Sequence, residues 1–135
     1  MAFADIVAYT KLLAMSAITV LIPIKAVMIA VGFAIFVDLV TGVMAAHKRG
    51  EKLTSAGLQR TAIKMFVYET LVVMGYVVEQ YMTGPGVPVA RIASGFIGLT
   101  ELKSVAENLN DVTGTDLLKT LIGKFASAND KPPGT

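Results

Sequence analysis

The stretch FVDLVTGVMAAHKRGEK, Phe36 to Lys52, decides how this chain is read. It sets an aspartate and a threonine inside an apolar run and then changes abruptly to a cluster of cations. Working outward, Ala26 to Ala46 gives twenty-one residues between Lys25 and the cluster His47, Lys48, Arg49, and Asp38 is the one charge among them. At about 1.5 Å per residue, a helix of that length matches a hydrocarbon layer of roughly 30 Å. An aspartate near its centre costs about 2.5 to 3.5 kcal/mol to insert, so it requires protein or water beside it.

Composition agrees. Of 135 residues, 54% are apolar and 16% charged, where soluble domains carry about a quarter of their residues as charges. The net charge of +2 is too small to argue for nucleic-acid binding, and the absence of cysteine excludes disulfides, thiolate catalysis and cysteine metal sites. The length suits a single helical membrane domain over residues 1–128, followed by an unstructured tail, NDKPPGT, at 129–135. The start of the chain lacks the cationic opening of a signal peptide.

Leu12 to Ile22 is an apolar run too short to cross a bilayer alone; extended back to Phe3 it reaches spanning length only by taking in Asp5 and Lys11. It is expected to lie in or beside the membrane. Met65 to Met82 is a second candidate span, interrupted by Glu69 and Glu79, and TGPGVP, Thr83 to Pro88, turns the chain. Val89 to Leu109 is helical in pattern but carries Arg91, Glu101, Lys103 and Glu107, so it spans only if its polar face meets protein or water. From a cap at Thr115, Leu117, Leu118, Leu121, Ile122 and Phe125 recur at the spacing of an amphipathic surface helix. The expected fold is therefore all-α: a small integral membrane protein of three to four membrane-associated helices plus a C-terminal amphipathic helix.

Lys48, Arg49, Lys52, Arg60 and Lys64 against one acid, Glu51, make a basic loop that the positive-inside tendency assigns to the cytoplasm. Ala26, Ala30, Ala34, Asp38, Gly42 and Ala46 form a ridge at four-residue spacing, small except at Asp38, of the kind that lets membrane helices approach closely. Alanine-rich helices produce such ridges by composition alone, and Asp38 is what argues for a specific contact. A second small ridge, Ala90, Ser94 and Gly98, follows the turn. Folding back at that turn sets Glu79 level with Arg91 and Glu69 level with Lys103, two candidate intramembrane ion pairs.

No residue set supports covalent chemistry. His47 is the sole histidine, so neither a histidine metal cluster nor a triad has its second member. Glu101 and Glu107 fall on opposite sides of a helix, which does not suit an acid/base pair. No enzyme activity, cofactor or metal is expected.

Three motifs carry a resemblance. DLVTG, Asp38 to Gly42, is an Asp-x-x-Thr-Gly ending a membrane helix; KLTSAGLQRTAIKM, Lys52 to Met65, contains a Leu-x-Ser-x-Gly-Leu loop leading to a lysine; TELKSVAENLNDVTG, Thr100 to Gly114, places Glu101, Ser104, Glu107, Asn108 and Gly114 in a Glu-x-x-Ser, Glu-Asn and Gly pattern. In this order they resemble the phage holin family associated with toxin secretion and phage lysis. The N-terminal segment has no counterpart, and Lys103 stands where the family is less charged.

The resemblance implies a protein that oligomerises in the bacterial cytoplasmic membrane and opens lesions passing an endolysin or an exported toxin. Its partners would be membrane lipid, further copies of itself and that cargo. On this reading Asp38, Thr41, Gly42, Ala34 and Ala46 serve helix packing. Glu101, Ser104 and Asn108 share a polar stripe, unpartnered in a single copy and satisfied in a ring or at a wet lumen. Two other classes remain: a virion component forming a ring or ejection channel, and a membrane adaptor docking a partner.

Overall fold

The computed structural model describes residues 3–52, 54–84, 86–116, 119–120 and 122–124. The expected tail at 129–135, and Leu117, Leu118, Leu121 and Phe125 of the amphipathic segment, lie outside them.

All elements among the described residues are helical: α1 Phe3–Leu21, a 3-10 turn Ile22–Ile24, α2 Lys25–Lys48, α3 Ser55–Val78 running into a π-helical turn Glu79–Thr83, and α4 Val89–Thr113. The punctuation is local chemistry. Pro23 occupies the 3-10 turn, where its missing N–H and fixed φ cost little. Thr54 caps α3, its hydroxyl accepting from the Gly57 N–H at 3.3 Å. Gly114 ends α4 at a φ of 71°, a left-handed position that favours glycine. Beyond it Asp116, one residue later than expected, receives the Lys119 N–H at 3.1 Å.

Helices α2, α3 and α4 pack on one another, with α4 lying along both others, parallel to α2 and antiparallel to α3. α1 packs on the 3-10 turn and otherwise exposes Phe3, Leu12, Leu13, Met15 and Ile18. Two stretches are long and apolar enough to cross a membrane, Phe3–Lys48 and Ser55–Thr83. As one straight rod the first would measure about 69 Å, over twice the hydrocarbon thickness, and the 3-10 turn containing Pro23 interrupts it.

The distribution of polarity is inverted relative to a water-soluble bundle. Ile29, Phe33, Phe36, Val40 and Met44 of α2, Phe66, Leu71 and Met74 of α3, and Ile92, Phe96, Leu99 and Leu102 of α4 all face outward. Inside, Ile24, Val31, Ile35, Val72 and Ile97 form an apolar cluster in the half of the body next to the Pro23 and Gly84 turns. The other half holds buried polar groups, Thr41 and Glu101 among them. A water-soluble protein rarely presents so much contiguous apolar surface; with lipid as solvent it is the expected exterior.

Candidate functional site

Each of the three packed helices contributes one charge to a single point. The Lys64 ammonium on α3 donates to Asp38 Oδ2 on α2 at 2.7 Å and to Glu101 Oε2 on α4 at 2.8 Å. Asp38 lies ten residues before the end of α2, Lys64 nine into α3 and Glu101 twelve before the end of α4. At about 1.5 Å per residue the triad sits roughly 14 to 18 Å below the end of the body that carries the α2–α3 loop. That distance is about half the roughly 30 Å thickness of a hydrocarbon layer.

Helical spacing extends the site. Thr41, one turn beyond Asp38, back-bonds to the Val37 carbonyl at 3.0 Å and accepts from the Asn108 amide at 3.2 Å. The same amide donates to Asp38 Oδ1 at 3.2 Å. Asn108 stands seven residues from Glu101, which returns it to the same face of α4, and Ser104 between them lies beside the Asp38 carboxylate. Tyr68, one turn along α3 from Lys64, lies beside Glu101. Glu101 is 0% exposed, and its Oε1 has no partner among the described residues.

Two carboxylates sharing one ammonium leave a formal deficit of one positive charge in a partly desolvated place. Such a cluster holds together because each bond is charge-assisted and because losing one member strands the others. It fixes the relative rotation of three helices whose apolar outer surfaces carry no such information.

A cavity of about 440 Å³ connects the triad with the loop end, lined by Asp38, Gly42, Ala46, Lys64, Ser104 and Asn108 in its depth, and by Lys52 and Arg60 at its mouth. At the same end Lys48 donates to the Val112 carbonyl, and Arg49 bonds both Asp111 and Glu51, clamping α2 to the last turn of α4. The Arg49 guanidinium hydrogen bonded to Glu51 holds that carboxyl below the usual range.

Several sequence expectations are corrected by this geometry. Lys64, assigned to the basic loop, is an inward-facing residue of α3, because the helix already starts at Ser55. Asp38 finds its cation within its own chain. The stripe Glu101, Ser104, Asn108, expected to lack partners in a single copy, is turned into the body and bonded there.

Glu69 and Lys103 do not meet: it is Glu101 that α4 turns toward α3 at this level, and Lys103, two positions further round the helix, is 73% exposed and bonds Glu107 at 3.4 Å. Glu79 does not take Arg91 as its partner; its Oε2 accepts the Ala90 N–H at 3.3 Å, capping the first turn of α4, where a negative charge is favoured. Of the small ridge, Ala26, Ala30 and Ala34 line a groove opposite Ser94 and Gly98, while Gly42 faces Asn108.

Glu69 retains a buried Oε2 without a partner among the described residues. Glu69→Gln, which keeps the shape and removes the charge, is expected to raise stability by about 1 kcal/mol in detergent unfolding followed by helical ellipticity. A loss of that size would mean that the carboxylate has a partner after all.

No curated protein and no solved structure matches this chain. A family model described as the Bacteriophage holin family matches residues 11–127. The matched range begins within α1, runs past the end of α4 and takes in Asp38, Thr41, Lys64, Glu101 and Asn108, so the polar centre just described is part of what is matched, and the chain belongs to the bacteriophage holin family.

Proposed function

We propose that this phage-lysis membrane protein accumulates in the host cytoplasmic membrane as a resting three-helix unit, then oligomerises and opens lesions that release an endolysin or an exported protein. The observation that carries the reading is the inversion of polarity: an apolar exterior around Asp38, Lys64, Glu101 and Asn108. Such a unit is compatible with lipid while closed. It also holds, on its inner faces, side chains suited to the wall of a water-filled lesion.

Opening then consists of exchanging partners. The Lys64 bonds to Asp38 and Glu101 are given up within one chain and replaced by bonds to neighbouring copies or to water, so the strength of the cluster sets the barrier. Asp38→Asn keeps the Asn108 contact but weakens the hold on Lys64. It is expected to bring lysis forward when the protein is induced in bacteria together with an endolysin, with membrane potential followed by a dye. Unchanged timing in both Asp38→Asn and Asp38→Leu removes Asp38 from the mechanism, and expression without depolarisation or lysis removes the function.

A further inference from the structure

The cavity above the triad is more than a route to it. Its lining carries four cations, of which two are already committed: Arg49 to Glu51 and Asp111, Lys64 to Asp38 and Glu101. Lys52 and Arg60, both exposed, form no ion pair among the described residues. They face one opening of a cavity whose side wall is apolar, with Leu39 and Val43 from α2 and Leu58 from α3. Leu58 is 59% exposed, so this wall reaches the outer surface of the body.

The geometry points to a binding site for one anionic phospholipid. Its phosphate would sit between Lys52 and Arg60, its headgroup hydroxyls would reach the Thr61 hydroxyl inside the cavity, and its acyl chains would leave over Leu39, Val43 and Leu58. This inference rests on the membrane reading above and specifies which lipid chemistry that membrane must supply.

Charge complementarity chooses the occupant. A zwitterionic headgroup would bring its own cation to a mouth that already has two unpaired ones. A free phosphate would satisfy those cations but leave the apolar wall bare. Two cations held at an anionic leaflet already attract its lipids; a cavity between them turns a diffuse attraction into a place with a fixed number of molecules. Occupied, the site would brace the α2–α3 loop directly above the Asp38–Lys64–Glu101 cluster, tying the closed form to the composition of one leaflet.

The full chain has no cysteine to interfere and is tested as it stands, in nanodiscs of mixed phosphatidylglycerol and phosphatidylcholine, by native mass spectrometry of the lipid retained on release. Retention of phosphatidylglycerol over phosphatidylcholine by about tenfold is expected. K52Q/R60Q should abolish that preference, whereas K25Q/K119Q, an equal loss of charge outside the cavity, should keep it. Equal loss in both double variants would reduce the site to a diffuse surface field and overturn it. Inorganic phosphate displacing the lipid at equal concentration would assign the site to the free anion and overturn the lipid. Insertion without headgroup preference also overturns the site while leaving the membrane reading in place; failure to enter any bilayer removes that reading itself.

Discussion

Lys64→Met should lower the stability of the three-helix body by about 3 kcal/mol, measured by denaturant titration in detergent micelles with helical ellipticity as the signal. Removing one member of a buried ion cluster costs about 3 to 5 kcal/mol, because the remaining charges lose their compensation. The lower end applies here, since the Lys64 side chain is 30% exposed to a cavity that admits water. What remains in the variant is Asp38 and Glu101, two carboxylates that the lysine had held together; Glu101 is fully buried and its Oε1 already has no partner among the described residues.

The companion variant decides what kind of cost this is. Replacing Asp38, Lys64 and Glu101 together by Leu, Met and Leu removes every stranded charge, and well-packed apolar replacements for a buried cluster are neutral or stabilising. The triple variant should therefore return to within about 1 kcal/mol of the parent while failing to release a co-expressed endolysin. A triple variant as unstable as Lys64→Met would show that the cost was lost packing. A stable triple variant that lyses on schedule would show that the cluster belongs to stability alone.

The cluster also marks where sequence reading succeeds and where it stops. Asp38 was legible because a lone carboxylate in a twenty-one-residue apolar run has no inexpensive explanation, and the spacing of Glu101, Ser104 and Asn108 placed them on one face. The helix types and the turn at Thr83 to Pro88 followed from periodicity and from glycine and proline. The partner of Asp38 did not follow, because positive charges near a membrane end are assigned to loops by density, and Lys64 was grouped with its neighbours Arg60 and Lys52. The missing signal was Thr54: with that cap recognised, Lys64 falls well inside α3 between Ile63 and Met65, where a cation is as costly as Asp38 and needs the same account. The pairs Glu79/Arg91 and Glu69/Lys103 failed for a different reason. Folding two helices back at a turn fixes depth but not rotation, and rotation decided that Glu101, not Lys103, faces α3.

Rotation also decides which glycine matters most. The ridge on α2 singles out Gly42, yet a Cβ there would meet the Asn108 side chain, its amide nitrogen at 3.5 Å and its Cγ at 4.0 Å, ordinary contacts with a side chain that can adjust, so Gly42→Ala should be tolerated. Gly75 of α3 belongs to no ridge visible in the sequence, and a Cβ there would come within 3.1 Å of Ala90 Cα and 3.2 Å of its nitrogen. Those are backbone atoms in the first turn of α4. The same nitrogen donates to Glu79 Oε2, so the close approach at Gly75 and the cap on α4 form one joint.

Gly75→Leu must open that joint, at a cost of about 1 to 3 kcal/mol for overpacking plus up to about 1 for the lost cap charge; a total near 3 kcal/mol is expected in the same micelle titration. Gly75→Ala sets about 1 kcal/mol of helix propensity against a shift of a few tenths of an ångström, and should come out within about 1 kcal/mol of the parent. Ala90→Gly supplies the control, since removing a methyl group leaves Cα and N where they are and should not rescue Gly75→Leu. Rescue by Ala90→Gly would place the obstruction at the side chain and move the joint elsewhere.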